Sequence, residues 1–337
     1  MTIETVTAIP VRHNHVLAFE VSKAKLHVHS HPPGSQGIIA NDAVAIRRVI
    51  KQEIKRNAKL EVGPLLVVCE ATGSYDRAVL ASAQDLGVAC HRAHGSQVRA
   101  FAKFRGLKAK TDAIDAPMLA DYGCTGQDLR LHTPPPAEQS ELRELVERRT
   151  ELREMAEAER ARAGHVQVKT VAADIKAHIR QLETRMASLE GRINDLVATT
   201  ERFAKAAALM RSVKGVGLIT AESVLAYLPE IGTLSRGAVA ALAGLAPFDD
   251  QSGQHDGRRH IAGGRSRLRK SLFMAATVAI NCNEHLAAYA KRIRAAGREY
   301  KVAVTAVMRK LIVMLNAIVA SGEPCRMAAA GRWDDAG

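Results

Sequence analysis

Cysteine is scarce in this chain and poorly spaced for crosslinking. The 337 residues hold five (Cys69, Cys90, Cys124, Cys282, Cys325), an odd number, never as Cys-x-x-Cys. A disulfide framework and a zinc finger are both excluded, and a reducing, cytoplasmic setting is expected. Aromatic residues are only 4% of the chain, with one Trp. Stacking of bases on an aromatic platform is therefore not expected to be the main binding device. The longest apolar stretches, 271–280 and 311–320, fall far short of the ~20 residues of a membrane helix, so no membrane partner is expected. The N-terminus lacks a charged region followed by an apolar one, so secretion is not expected. Proline is missing from 137–202, which leaves that stretch free to be helical.

Positive charge is what the chain has in excess. Its 48 Lys and Arg outnumber 35 Asp and Glu, for a net charge of +13 and a pI near 9.8. Such an excess points to a polyanionic partner. The charge is uneven: net +5 over 1–136, −1 over 137–204 and +9 over 205–337. Thr133-Pro134-Pro135-Pro136 reads as a stiff connector. Three regions follow: an N-terminal domain (1–133), a helical spacer (137–203) and a C-terminal domain (205–330). In the spacer Ile175, Leu182, Leu189 and Leu196 recur every seven residues, with Ile179, Met186 and Ile193 between them. This a/d pattern predicts a coiled coil joining protomers; the alternative is two antiparallel helices packing within one chain.

The N-terminal domain mixes periodicities. Strands are expected at 16–22, 26–30 and 65–69, and helices at 42–57, 75–86, 96–104 and 111–122. That order predicts an α/β fold with a mixed sheet. The C-terminal domain reads as mainly helical, with one long polar loop at 247–264.

Four carboxylates stand out. Glu20 interrupts an apolar strand, and Glu70 ends another. A charge in such a place is costly unless it is paired or binds a metal. Asp112 and Asp115, three apart on a predicted helix, share a face. Together the four can hold one or two Mg²⁺ ions for phosphoryl transfer. The competing reading has Asp112 as a helix cap and the glutamates in ion pairs.

Other segments suggest phosphate contacts. Lys214-Gly215-Val216-Gly217 lies between two helical segments, like the hairpin of helix-hairpin-helix DNA-binding modules; the alternative is a helix corner that uses Gly for packing. The polar loop holds Ser252-Gly253, a turn or a nucleophile. It leads into 258–270, with six basic residues and no acid: Arg258, Arg259, Arg265, Arg267, Arg269 and Lys270. Arg99, Lys103, Arg105, Lys108 and Lys110 form a second basic patch before Asp112. His27, His29 and His31 alternate on one strand, more in keeping with a solvated strand face than with a metal site.

Taken in order, Phe19-Glu20-Val21-Ser22-Lys23, Cys69-Glu70-Ala71-Thr72-Gly73-Ser74-Tyr75, Lys110-Thr111-Asp112-Ala113-Ile114-Asp115-Ala116, the glycine hairpin, Gly244-Leu245-Ala246-Pro247 and Ser252-Gly253 closely resemble one family. It comprises the insertion-sequence transposases with a RuvC-like DEDD domain and a C-terminal serine domain, the "IS-one-ten" family of bridge-RNA-guided recombinases. The resemblance runs over nearly the whole chain.

The resemblance implies an RNase H-like N-terminal domain in which Glu20, Glu70, Asp112 and Asp115 hold Mg²⁺. It implies that Ser252 forms a transient covalent bond to DNA. It also implies a structured guide RNA that pairs with donor and target DNA, and a dimer or tetramer joined by the coiled coil. The family's first acid is usually Asp. Glu20 adds a methylene, which a flexible oxygen-ligand site absorbs more readily than octahedral Mg²⁺ does. Two other functions compete on sequence grounds: a RuvC-like, metal-only endonuclease on branched DNA, and a non-catalytic nucleic-acid-binding dimer.

Overall fold

The computed structural model describes residues 13–60, 63–106, 112–126, 129–248, 251–252, 255–256 and 260–325; for Asp112, Asp115 and Ser252 it describes the backbone. The chain forms two compact units, Met1–Pro134 and Pro135–Gly337.

The first unit runs β1 (His15–Val21), β2 (Lys25–His31), β3 (Gln36–Ala40), α1 (Ala43–Leu60), β4 (Leu65–Glu70), α2 (Arg77–Asp85), β5 (Ala89–Ala93), α3 (Gly95–Phe104) and α4 (Asp112–Thr125). Its five strands form one sheet in the order β3-β2-β1-β4-β5. β1, β2 and β3 pair antiparallel, while β1, β4 and β5 pair parallel. β1 and β4 are central and nearly continuous in apolar residues, as strands covered on both faces must be. On one face Leu17, Phe19, Val67 and Cys69 pack with Ile46 and Ile50 of α1 and Val79 of α2. On the other, Val16, Ala18, Leu66 and Val68 pack with Val98 of α3 and Met118, Leu119 and Ala120 of α4. Fully burying a side chain such as Phe19 or Leu17 contributes about 1.5–3 kcal/mol. α4 comes closest at Gly123, where a Cβ would sit 2.8 Å from Val16 and 2.9 Å from Val68.

Two strands lie where the periodicity predicts none. β3 is largely exposed and follows Pro32-Pro33-Gly34, so it has no alternation to read. β5 is the polar run Ala-Cys-His-Arg-Ala, held by parallel pairing with β4.

The second unit begins with two long helices, α5 (Ala137–Ala163) and α6 (Lys169–Thr199). Glu159 lies beside His178, Glu183 beside Arg160 and Glu141 beside Arg192, so the two helices run antiparallel. The heptad positions Ile175, Leu182 and Ile193 are buried. Leu182 packs with Leu152 and Ala156 of α5. The heptads thus serve antiparallel packing within one chain, and this seam needs no second chain to cover it. Further on, Leu142, Leu145, Val146, Ile193 and Val197 enter a core shared with α7 (Glu201–Arg211), α8 (Leu218–Tyr227), α9 (Arg236–Leu242), α10 (Ser266–Cys282), α11 (Glu284–Ala295) and α12 (Tyr300–Ser321). Between α9 and α10 lie four two-residue strands, β6 (Pro247–Phe248), β7 (Gln251–Ser252), β8 (His255–Asp256) and β9 (His260–Ile261). By length and composition α12 is long and apolar enough to cross a membrane, extending beyond the run 311–320. Its Val304, Val307, Leu311, Ile312 and Leu315 are packed in the core of the unit.

Candidate functional site

Phe19 of β1 is paired in parallel with Cys69 of β4. Glu20 and Glu70 are the next residues on these neighbouring strands, which are about 4.8 Å apart. Both are half-buried, whereas the residue preceding each is fully buried. The Glu-Ala-Thr-Gly motif has a structural reason beyond Glu70. Ala71 N–H donates to the Ala93 carbonyl at 2.9 Å, and Gly73 turns in the left-handed region at φ +67. Arg92 of β5 donates to the Gly73 carbonyl at 3.2 Å and to the buried carboxylate of Asp76. This staples the turn after Glu70 to β5.

Two neighbours of the acids emerge from the structure, Gly95 and His27. A Cβ on Gly95 would lie 2.6 Å from Glu70 Oε1, so the missing side chain makes room for that carboxylate. His27 sits directly across from Glu20 in the antiparallel register, and His29 and His31 follow on the same face. Burial, with His31 beside it, holds His29 below the usual imidazole range. The alternation of the histidines was legible in the sequence; the carboxylate opposite them was not.

Asp112 and Asp115 occupy the first turn of α4. Gly123, near the other end of α4, is seated on Val16 and Val68. Among the described residues, whose side chains do not include these two aspartates, no group of three or more His, Cys, Asp or Glu could hold a metal ion. The two glutamates are hard oxygen donors on adjacent strand ends, a donor set that suits Mg²⁺. In the nearby basic patch Arg105 pairs with Asp121 of α4 at 2.6 Å, and Lys103 is exposed; Lys108 and Lys110 lie outside the described residues.

In the second unit the glycine hairpin joins α7 to α8. Gly215 has φ +100, and a Cβ there would lie 2.6 Å from Cα of Ala279 in α10. Packing and backbone conformation together explain this glycine. The side-chain amide of Asn283, one turn beyond Ala279, donates to the Lys214 carbonyl at 3.3 Å and so holds the hairpin against the same helix end. Gly217 precedes α8 with no side-chain cap, and a Cβ there would meet open space. Its surroundings form a groove of about 410 Å³ lined by Arg149, Asn194, Ile219 and Thr220 among others.

The basic run has internal partners. Arg265 is bidentate to Glu230 at 2.7 Å and donates to the Tyr227 carbonyl at 2.8 Å. Arg267 lies beside the Tyr227 hydroxyl and 3.6 Å from Glu147, and these neighbours hold its guanidinium above its ordinary value. Arg269 donates to the carbonyls of Gly244 and Gly263. Lys270 is 3.2 Å from Glu154. A phosphate arriving at Arg265, Arg267 or Lys270 would compete with these acids. Arg258 and Arg259 lie outside the described residues. Ser252 pairs with His255 across the short β7–β8 hairpin, in a unit separate from the acids.

A mixed α/β sheet with two glutamates at neighbouring strand ends, and a helical unit with a serine-bearing loop and a large excess of positive charge, fit the class of enzymes that cut and rejoin nucleic acid. The comparisons make this specific. The model of the Transposase IS116/IS110/IS902 family matches residues 207–291, which include the glycine hairpin and Ser252. The DEDD transposase model of the IS110 family matches 31–170, which include Glu70, Asp112 and Asp115 but begin after Glu20. The pilin gene-inverting proteins of Moraxella lacunata and Moraxella bovis are each 28% identical over 267 residues, 77% of this chain and 81% of theirs. The chain belongs to the IS110 family of transposases and is a DNA transposase/recombinase with an RNase H-like α/β N-terminal domain.

Proposed function

We propose that this protein cleaves and rejoins DNA strands through a covalent phosphoserine intermediate at Ser252, assisted by Mg²⁺ and directed by a guide RNA. The observation that carries the reading is the register that puts Glu20 beside Glu70, in a chain that also matches the serine-bearing family segment.

Glu20 and Glu70, with Asp112 and Asp115, would hold the metal. When bound, Mg²⁺ supplies positive charge to the scissile phosphate and lowers the barrier to deprotonating a nucleophile. Ser252 Oγ attacks phosphorus in line. The new Oγ–P bond replaces the P–O3′ bond, the serine proton leaves, and the released strand ends in a 3′-hydroxyl. Because the bond energy stays in the phosphoserine linkage, a second 3′-hydroxyl can attack it, reseal the strand and free the serine without ATP. Arg258 and Arg259 supply positive charge to the phosphate, and Lys214, Gly215 and Gly217 grip the backbone. Glu20 in place of Asp reaches further from the same strand position and is accommodated by a site ligated only by oxygens.

Base pairing by the guide RNA carries sequence choice, so the protein grips backbone and helical shape on donor and target DNA. A chain with few aromatics and net +9 beyond residue 204 suits that task. A working dimer or tetramer belongs to the same proposal. The relatives' name describes inversion of a pilin gene, and we infer the same kind of strand exchange for this chain.

The test compares Ser252→Ala with Glu70→Ala. The covalent protein–DNA adduct is expected to vanish in Ser252→Ala while nucleic-acid binding survives. Cleavage lost in Glu70→Ala but intact in Ser252→Ala would instead make the protein a metal-only endonuclease.

A further inference from the structure

The loop that carries Ser252 leaves the end of α9 at Gly244 and returns through Gly263 and Gly264 to α10, and its two ends touch. A Cβ on Gly264 would lie 2.2 Å from the Gly244 nitrogen and 2.4 Å from its Cα. One on Gly244 would lie 2.4 Å from the Gly263 oxygen. All three glycines have left-handed φ, +67, +65 and +66. Backbone meets backbone at this neck, in a conformation other residues rarely adopt.

Arg269 of α10 lies across the neck. One guanidinium nitrogen, Nη1, donates to the Gly263 carbonyl at 2.8 Å and to the Gly244 carbonyl at 3.3 Å, so a single cation joins the outgoing and returning strands. Further contacts fix its surroundings. Arg265 N–H donates to the Leu242 carbonyl at 2.8 Å, Leu245 N–H donates to the Ala240 carbonyl at 2.8 Å, and Leu268 beside Arg269 is fully buried. Beyond the neck the strands stay together, with Pro247 opposite Ile261 and Phe248 opposite His260. Arg269 belongs to the basic run expected to bind phosphate, and its Nη1 is directed at the loop's own backbone.

We propose that Arg269 is a positioning residue for strand cleavage, joining the two ends of the loop so that Ser252 is held in one place. The inference rests on Ser252 being the nucleophile. A displacement of about 1 Å at a reacting atom can cost about 100-fold in rate, so losing the clamp is expected to reduce adduct formation by about that factor. DNA occupancy is expected to change little, because Nη1 of Arg269 is committed to the loop's two carbonyls.

The experiment uses full-length protein expressed in cells that carry its parent element. Covalently bound DNA is measured after denaturing pull-down, and total bound DNA after formaldehyde crosslinking. Arg269→Ala is expected to lose the adduct but keep occupancy and the melting temperature. Arg269→Lys, whose ammonium can reach a carbonyl, recovers part of the adduct. Gly264→Ala, which forces the neck apart without touching any charge, matches the loss in Arg269→Ala. Adduct and occupancy falling in parallel in Arg269→Ala would make Arg269 a DNA contact and overturn the inference. So would full adduct formation in both Arg269→Ala and Gly264→Ala. Ser252→Ala run alongside separates the two ideas: an adduct that persists there overturns the nucleophile assignment, whatever Arg269 does.

Discussion

Arg149 of α5 and Glu222 of α8 form an ion pair whose side chains are 8% and 2% exposed. It ties the long spacer helix to the helix that follows the glycine hairpin. Removing one member of a buried pair costs about 3–5 kcal/mol, mainly because the other charge is left without a partner. Arg149→Met keeps the apolar stem and removes only the guanidinium, so that cost is expected at neutral pH. The pH dependence is the sharper test. Burial already raises the Glu222 carboxyl above its ordinary value, although the Arg149 hydrogen bond and charge pull the other way. In Arg149→Met that pull is gone, and the carboxyl rises further. A group whose folded value is raised binds its proton more tightly when folded, so stability falls as pH climbs from the unfolded towards the folded value. The penalty in Arg149→Met should therefore be full at pH 7 and shrink to under about 2 kcal/mol near pH 4, where folded and unfolded carboxyls are both mostly protonated. Urea unfolding followed by helical circular dichroism at the two pH values measures it. Arg149→Met/Glu222→Leu should recover most of the loss. A cost below about 1 kcal/mol at pH 7, or one that grows on acidification, would refute the reasoning.

Three further outcomes follow from the same structure. Leu182→Ala should cost about 2–5 kcal/mol with a melting temperature independent of protein concentration, because its seam is filled by α5 of the same chain; a concentration-dependent loss would return that seam to an interface between chains. Gly215→Ala should destabilise by about 1–3 kcal/mol in thermal melts, since it must hold φ +100 against Ala279, whereas Gly217→Ala should be nearly neutral in the same melts. Glu53 is buried against Ser35, His15 and Arg56. Burial alone would raise its carboxyl, but the Ser35 and His15 hydrogen bonds and the Arg56 charge hold it below the ordinary range. Its contribution is present above the ordinary carboxylate value and lost as pH falls through the lowered one. Glu53→Gln should thus weaken the protein at pH 7 and flatten the acid limb of its stability curve.

The sequence disclosed the parts of this protein better than their partners. Glu20 and Glu70 were legible because each breaks or ends an apolar run, and a charge there demands an explanation. Their adjacency was not, since it depends on the parallel register of β1 and β4, forty-odd residues apart. The heptads of α6 were readable from spacing alone, but which helix fills the seam is a tertiary fact that spacing does not encode. Arg265, Arg267, Arg269 and Lys270 looked like one phosphate-binding surface. Their acids and carbonyls come from α5, the segment before α9 and the loop neck, so composition showed the charge without showing where it is spent. Gly95 carried no signal, because room for a carboxylate leaves no mark in a single sequence.

The central claim is that Ser252 becomes covalently joined to DNA. Full-length protein recovered under denaturing conditions from cells carrying its parent element, digested with nuclease and protease and analysed by peptide mass spectrometry, tests it most directly. The account predicts a nucleotide linked through its 5′-phosphate to the peptide containing Ser252, absent from Ser252→Ala and strongly reduced in Glu70→Ala. A nucleotide on any other residue, or strand cleavage that proceeds with no nucleotide on the protein, would contradict it.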